Sequence, residues 1–176
     1  RATEIGEAIG EVVVNAYRAG ERQEVGEVKM VQEVLEIADR SWEESTFCRD
    51  DSRGDRHSDR IKQRRRYDPE EEAILARGKT VCSVEIQGIS FGDTAIVTNP
   101  AELFVAFGIE IRERSPFGVT LISELTNGYC GYVPTEKGFE EQGYEAHRTV
   151  YTSRLEKEGG RRIVEASMRT LEKLRG

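Results

Sequence analysis

An α/β fold, a mixed sheet with flanking helices, is what this sequence predicts. Three observations predict it. Apolar residues recur at helical spacing near both ends, in TEIGEAIGEVVVNAY and in GGRRIVEASMRTLEKL. Between them, TVCSVEIQGISFGDTAIVTNP and FGVTLISEL carry β-branched runs bounded by turn residues. A further helical segment then falls between those two strand regions, so that helices alternate with strands and the strand ends carry loops. At 176 residues the chain is long enough to bury one domain core.

Taken in order, the first helical stripe holds Ile5, Ile9, Val12, Val13, Ala16 and Tyr17, with Thr3 placed to cap it and Gly20 to end it. EVKMVQEVLEI alternates loosely and favours a strand, with a helix still open. Residues 45–66, STFCRDDSRGDRHSDRIKQRRR, have almost no apolar side chains and read as a flexible charged insertion ending in the basic run Lys62 to Arg66. YDPEEEAILARG reads as a helix start, with Asp68 at the N-cap, Pro69 in the first turn, and Glu70 to Glu72 at the positive end of the dipole. FGDT is the turn between two strands. Asn99 and Pro100 are expected to open a helix from about Ala101 to Arg114, stopped by Ser115 and Pro116. The last helix is built on Ile163, Ser167, Leu171 and Leu174.

A net charge of −7 argues against non-specific binding to nucleic acid or to an anionic membrane. No apolar run approaches the ~20 residues of a transmembrane segment. The first residue is Arg1 and a helical pattern begins at once, which reads as a fragment starting inside a larger protein. The 3 cysteines, Cys48, Cys82 and Cys130, are widely spaced, with no Cys-x-x-Cys pair to suggest a disulfide framework or a thiolate zinc site.

Chemistry concentrates in NGYCGYVPTEKGFEEQGYEAHR, which holds Tyr129, Tyr132, Tyr144 and His147. Glu102, three residues after Asn99, admits two readings. It can form a capping box with Asn99, or it can be a carboxylate on a rigid mount that points across strand ends toward a cation. Tyr132 can plug a turn with its ring or offer its phenol oxygen to a metal; a phenol with an ordinary pKa near ~10 needs a cation to become an anion. Tyr144 can be a core ring or a hydrogen-bond donor to a substrate oxygen. His57 lies in the charged insertion, and His147 lacks a second histidine at helical spacing and reads as a surface side chain. Neither a Gly-x-Ser-x-Gly elbow nor a phosphate-binding Gly-rich loop is present.

FGDTAIVTNPAELFVAFGIEIRERSPF followed by LTNGYCGYVPTEKGFEEQGYEA resembles the neutral/alkaline, non-lysosomal ceramidase family, in the late part of its amidase domain. The shared pattern is a strand ending in Gly-Asp, Pro-x-Glu, Asn-x-Tyr-x-x-Tyr-Val-x-Thr, and a Tyr-Glu pair, spread over roughly residues 80–150. The resemblance implies that residues 1–176 are the C-terminal portion of a larger catalytic domain. It implies a zinc-dependent amidohydrolase that cleaves a linear amide, an N-acyl sphingoid base or related N-acyl amine, through zinc-bound water. Glu102 and Tyr132 would be two of the ligands to one zinc ion, and two histidine ligands would come from upstream sequence. Tyr144 would contact the scissile amide and serve catalysis and substrate binding. Tyr129 would be a packing residue. The family's histidine ligands and its active-site serine have no counterpart here, so this chain alone is expected to bind zinc weakly and turn over nothing. The expected partner is a small-molecule or lipid amide, not nucleic acid. The competing reading is a non-catalytic interaction or structural module, in which Glu102 caps a helix and the tyrosines are core.

Overall fold

The computed structural model describes residues 1–21, 25–40, 76, 78, 80–141, 143–148 and 152–176. The insertion read at 45–66, with its basic run and His57, and the helix start at Asp68 lie outside the described residues.

The mixed sheet with flanking helices is present. Strands β1 (Val28–Ala38), β2 (Val81–Phe91), β3 (Thr94–Thr98) and β5 (Val119–Ser123) form one sheet in the order β1-β2-β3-β5. The first two pairings are antiparallel and the last is parallel. EVKMVQEVLEI is thus a strand, and its alternation is the reason: Val31, Leu35 and Ile37 turn to the core while Met30, Val34 and Glu36 turn away. The FGDT turn joins β2 to β3 in two residues, with Gly92 at φ +57, a conformation that costs glycine least.

A parallel partner for β3 requires a crossover. It runs through β4 (Ala101–Leu103) and α2 (Val105–Arg114) before β5. The helix therefore begins four residues later than the sequence suggests. Asn99 is the cause. It is buried, and its side-chain oxygen accepts the N–H of Ala101 at 3.0 Å, two residues on rather than three. The Ala101 carbonyl is taken by the N–H of Leu125 at 3.2 Å, so no helical turn can start there. The capping box with Glu102 does not form, and α2 starts after Phe104 with no side-chain cap. Its stop at Ser115 is as read. β4 pairs in parallel with β6 (Gly131–Val133), and the short helix α3 (Glu136–Glu141) follows.

The last helix, α4 (Gly159–Arg175), lies across β1, β2 and β3 and against α2. Ile163, Ser167, Leu171 and Leu174 are all buried, as their spacing requires. Its start is glycine because of close approach: a Cβ on Gly160 would stand 2.5 Å and 2.6 Å from the Phe107 ring and 3.1 Å from Val133. Gly160→Val is expected to force that ring aside and to lower stability by about 1–3 kcal/mol, read from urea unfolding.

Carboxylates from the sheet and α2 pair with arginines of α4. Arg169 reaches Glu33 at 2.5 Å, Arg161 reaches Glu110 at 2.5 Å, and Arg175 reaches Asp93 at 2.8 Å. Arg114 of α2 bridges Glu110 and Glu165, each at 2.8 Å. Hydrogen bonds from these arginines hold Glu33, Glu110 and Glu165 below the ordinary carboxyl value of 4.5. A carboxyl whose folded pKa is depressed stabilises the fold fully above its unfolded value and loses that contribution as pH falls through the folded one. Urea midpoints should therefore be flat above pH ~5 and fall below pH ~4.5. Arg169→Ala should shrink that acid-side fall, and an unchanged acid limb would remove the Glu33 pair from the account.

The first helix, α1 (Ala2–Ala19), forms the amphipathic stripe but buries none of it; Ile5, Ile9, Val12, Val13 and Tyr17 are exposed. Thr3 lies inside the first turn, not at the cap, which is Arg1 and makes no side-chain bond. Gly20 ends the helix as read, in an extended conformation. No helix of the described residues is long and apolar enough to cross a membrane.

Candidate functional site

β4 and β6 are three residues each, and their register decides what faces what. Ala101 and Leu103 are buried, as are Gly131 and Val133, so the residue between each pair must point the other way. Those two residues are Glu102 and Tyr132, and they are partners in the parallel register. The same side of the small sheet thus carries a carboxylate and a phenol next to each other. Interaction with Glu102 is the first cause that raises the Tyr132 pKa, followed by burial and by the charges of Glu102, Tyr144 and Glu145. The register thus sets the two side chains next to each other on one side of the small sheet.

Tyr129 is not a packing residue. Its ring is about half exposed, and its hydroxyl donates to Glu102 Oε1 at 2.9 Å. Lost hydration of the hydroxyl, then the hydrogen bond to Glu102, push its pKa up to about 12. Both shifts favour the protonated phenol, and Tyr129 acts as a donor. Tyr144 opens a 3-10 turn, Tyr144–Ala146, closed by the His147 N–H donating to the Tyr144 carbonyl at 3.2 Å. Its ring meets Tyr132 edge-on, with centroids 5.8 Å apart at 74°. The Tyr144 side chain is largely exposed, so its hydroxyl is open to an incoming molecule. His147 is half-buried rather than on the open surface.

Glu124 completes the group and carries no motif that would single it out in the sequence. Burial of its carboxyl is the main cause that raises its pKa; the Leu103 N–H opposes the rise and the nearby Glu102 adds to it. The charges of Glu102 and Glu145 bear on Tyr132, and that of Glu102 on Glu124, so these surroundings favour a cation over an anion.

The loop from residue 124 to 130 is held under constraint. Leu125 and Asn127 take φ of 52° and 61°. For a side chain as bulky as leucine that conformation is uncommon and costs on the order of 1 kcal/mol or more. It is over-determined by neighbours: the Leu125 N–H goes to Ala101 O, the Thr126 N–H to Asn99 O at 3.0 Å, and the Cys130 N–H to Pro100 O at 3.0 Å. Asn127 Nδ2 also reaches Glu85 of β2 at 2.9 Å. Interaction with the Cys130 thiol is the leading cause holding the thiol of Cys82, on β2, down at about 7, and the same interaction pushes Cys130 up.

As a zinc cradle, the donor set fits in part. A carboxylate oxygen and a phenol oxygen side by side are hard donors that zinc accepts, and a catalytic zinc takes about three protein ligands. Among the described residues, no group of three or more His, Cys, Asp or Glu could hold a metal ion.

No family model matches the chain, and no curated protein matches it. Among solved structures, a ceramidase complexed with C2 is similar over 53% of this chain and 15% of that chain, at 20% identity and a TM-score of 0.46. A neutral ceramidase from Pseudomonas aeruginosa is similar over 55% of this chain and 16% of that chain, at 22% identity and a TM-score of 0.44. The likeness is one of fold, and the chain spans about a sixth of the length of the solved chains it matches.

Proposed function

We propose that this chain carries one wall of the active site of a zinc-dependent amidohydrolase, acting in the intact polypeptide on a linear amide such as an N-acyl sphingoid base or related N-acyl amine. The observation that carries the reading is the pairing of Glu102 with Tyr132 on one side of a two-stranded parallel sheet, with the Tyr144 ring edge-on to Tyr132. The order and spacing of the Pro-x-Glu, Asn-x-Tyr-x-x-Tyr and Tyr-Glu motifs support it independently.

Glu102 and Tyr132 would hold the ion together with donors that this chain does not supply. When bound, zinc supplies Lewis acidity, polarising an amide carbonyl and making water a better nucleophile near neutral pH. The chain's own residues do the rest. Tyr129 fixes one carboxylate oxygen of Glu102 by donating to it, and so orients the carboxylate that would hold the ion. Tyr144, exposed and held by its turn, donates its phenol proton toward the oxygen that gains charge when an amide carbonyl is attacked.

Tyr144→Phe in the intact polypeptide is expected to lower kcat for amide hydrolysis by about 10²-fold with zinc content unchanged, the loss typical of one such donor. The deciding measurement combines zinc content with hydrolysis of N-acyl lipids and simple N-acyl amines. Stoichiometric zinc with turnover supports the amidase. A folded polypeptide with neither would favour a non-catalytic module, a reading to which the closed Tyr129–Glu102 hydrogen bond lends some support.

A further inference from the structure

We propose that α1 is an exchange arm: its apolar stripe docks on the open face of the four-stranded sheet in a second copy of this chain, and that copy returns the same contact. Helices α2 and α4 both pack on one face of the sheet, around a shared core. The strands alternate, so every second residue turns to the other face. Register lines those residues up in rows. Met30, Ile89, Ile96 and Leu121 form one row straight across β1, β2, β3 and β5. Val28, Phe91, Thr94 and Val119 form the next. On the two outer strands, Met30, Leu121, Val28 and Val119 are all more than half exposed. On the inner strands, Ile89, Ile96 and Phe91 stand outside the buried core cluster. The row on the far side of Met30, made of Gln32, Gln87, Thr98 and Ser123, is polar. The apolar patch thus occupies one half of the face and stops short of the loop that Asn127 ties to Glu85.

Helix α1 supplies the matching surface. Ile5, Ile9, Val12, Val13 and Tyr17 share one side of it, and all five are exposed. Only residues 20–27 separate α1 from β1, a link long enough to let the helix fold back, yet within one chain the stripe stays in water. The opposite side of α1 carries Glu4, Glu7 and Glu11, charges that an anionic lipid surface repels. A second copy therefore fits better than a membrane. The dimensions agree. Four strands at a spacing of ~4.8 Å give a face ~14 Å across, room for one helix ~10 Å in diameter. Each large apolar side chain carried into such a contact takes about 60–120 Å² out of water. The stripe and the rows beneath it then bury on the order of 800 Å² per contact, too little for a stable association alone. Two reciprocal contacts reach about 1,600 Å², the usual size of a specific interface.

The test is analytical ultracentrifugation of the full chain, which should sediment as a dimer at micromolar concentration. Ile9→Glu on α1 and Leu121→Glu on the sheet should each weaken the dimer by about 100-fold or more, because a homodimer of either variant loses both contacts. Both positions are exposed, so the circular dichroism spectrum of each variant should match that of the parent. Mixing the two variants is the decisive step. One intact helix and one intact sheet then meet, and the mixture should associate at least tenfold more tightly than either variant alone. A monomeric parent chain overturns the proposal. So does a dimer that only Ile9→Glu disrupts, which would be helix on helix, or one that only Leu121→Glu disrupts, which would be sheet on sheet. None of these readouts depends on zinc or on amide hydrolysis.

Discussion

Glu102→Ala in the intact polypeptide should abolish zinc retention and lower amide turnover by about 10³-fold or more, the scale of losing a ligand rather than a supporting contact. Glu102 accepts the Tyr129 hydroxyl and is the register partner of Tyr132. Truncation removes the negative charge that would face the ion and leaves two phenols to donate to water. Tyr129→Phe should do less, costing about 10- to 100-fold in zinc affinity, because it orients the carboxylate without touching the ion. The ordering of the two variants is what matters. Zinc content by plasma emission, read beside the circular dichroism spectrum, checks it. Full zinc and full turnover in folded Glu102→Ala would withdraw the metal role.

Leu171→Ala should cost about 2–5 kcal/mol, a large part of the ~5–15 kcal/mol that a domain of this size has in all. Leu171 is 0% exposed at the centre of α4, where the helix lies on β1 and β2. The backbone on both sides is fixed: by antiparallel pairing to β2 over the whole length of β1, and by the α4 arginines clamped to Glu33, Glu110 and Asp93. A cavity there has little freedom to collapse, so the upper part of the range is expected. Urea unfolding measures it. A shift in midpoint at constant slope is the expected signature, because the slope follows the surface exposed on unfolding.

The sequence makes some parts of this molecule plain and hides others, for physical reasons. The β2–β3 hairpin is legible because Gly92 and Asp93 state their turn locally. Helix α4 is legible because its apolar period is long and regular. β4 is not: a Pro followed by Ala-Glu-Leu has helical propensity, and the distant amides of Leu125 and Cys130, with the pairing to β6, pull it into a strand. Tertiary contacts overrode a local preference there. The motif resemblance singles out Glu102, Tyr132 and Tyr144, which the fold sets beside one another, but the contact of Tyr129 was hidden because its partner lies 27 residues away. Glu124 gave no signal at all, since its environment is set by the Leu103 amide and by folding alone.

Because β4 and β6 are only three residues long, slippage by a single position would turn the Glu102 carboxylate inward and expose Leu103 instead. So brief a pairing cannot hold its own alignment. The two amides just outside it do, Phe104 to the Val133 carbonyl at 3.2 Å and Cys130 to the Pro100 carbonyl. Their deuterium uptake is therefore a gauge of the cradle itself, able to report its loosening while the four-stranded sheet next to it still resists exchange.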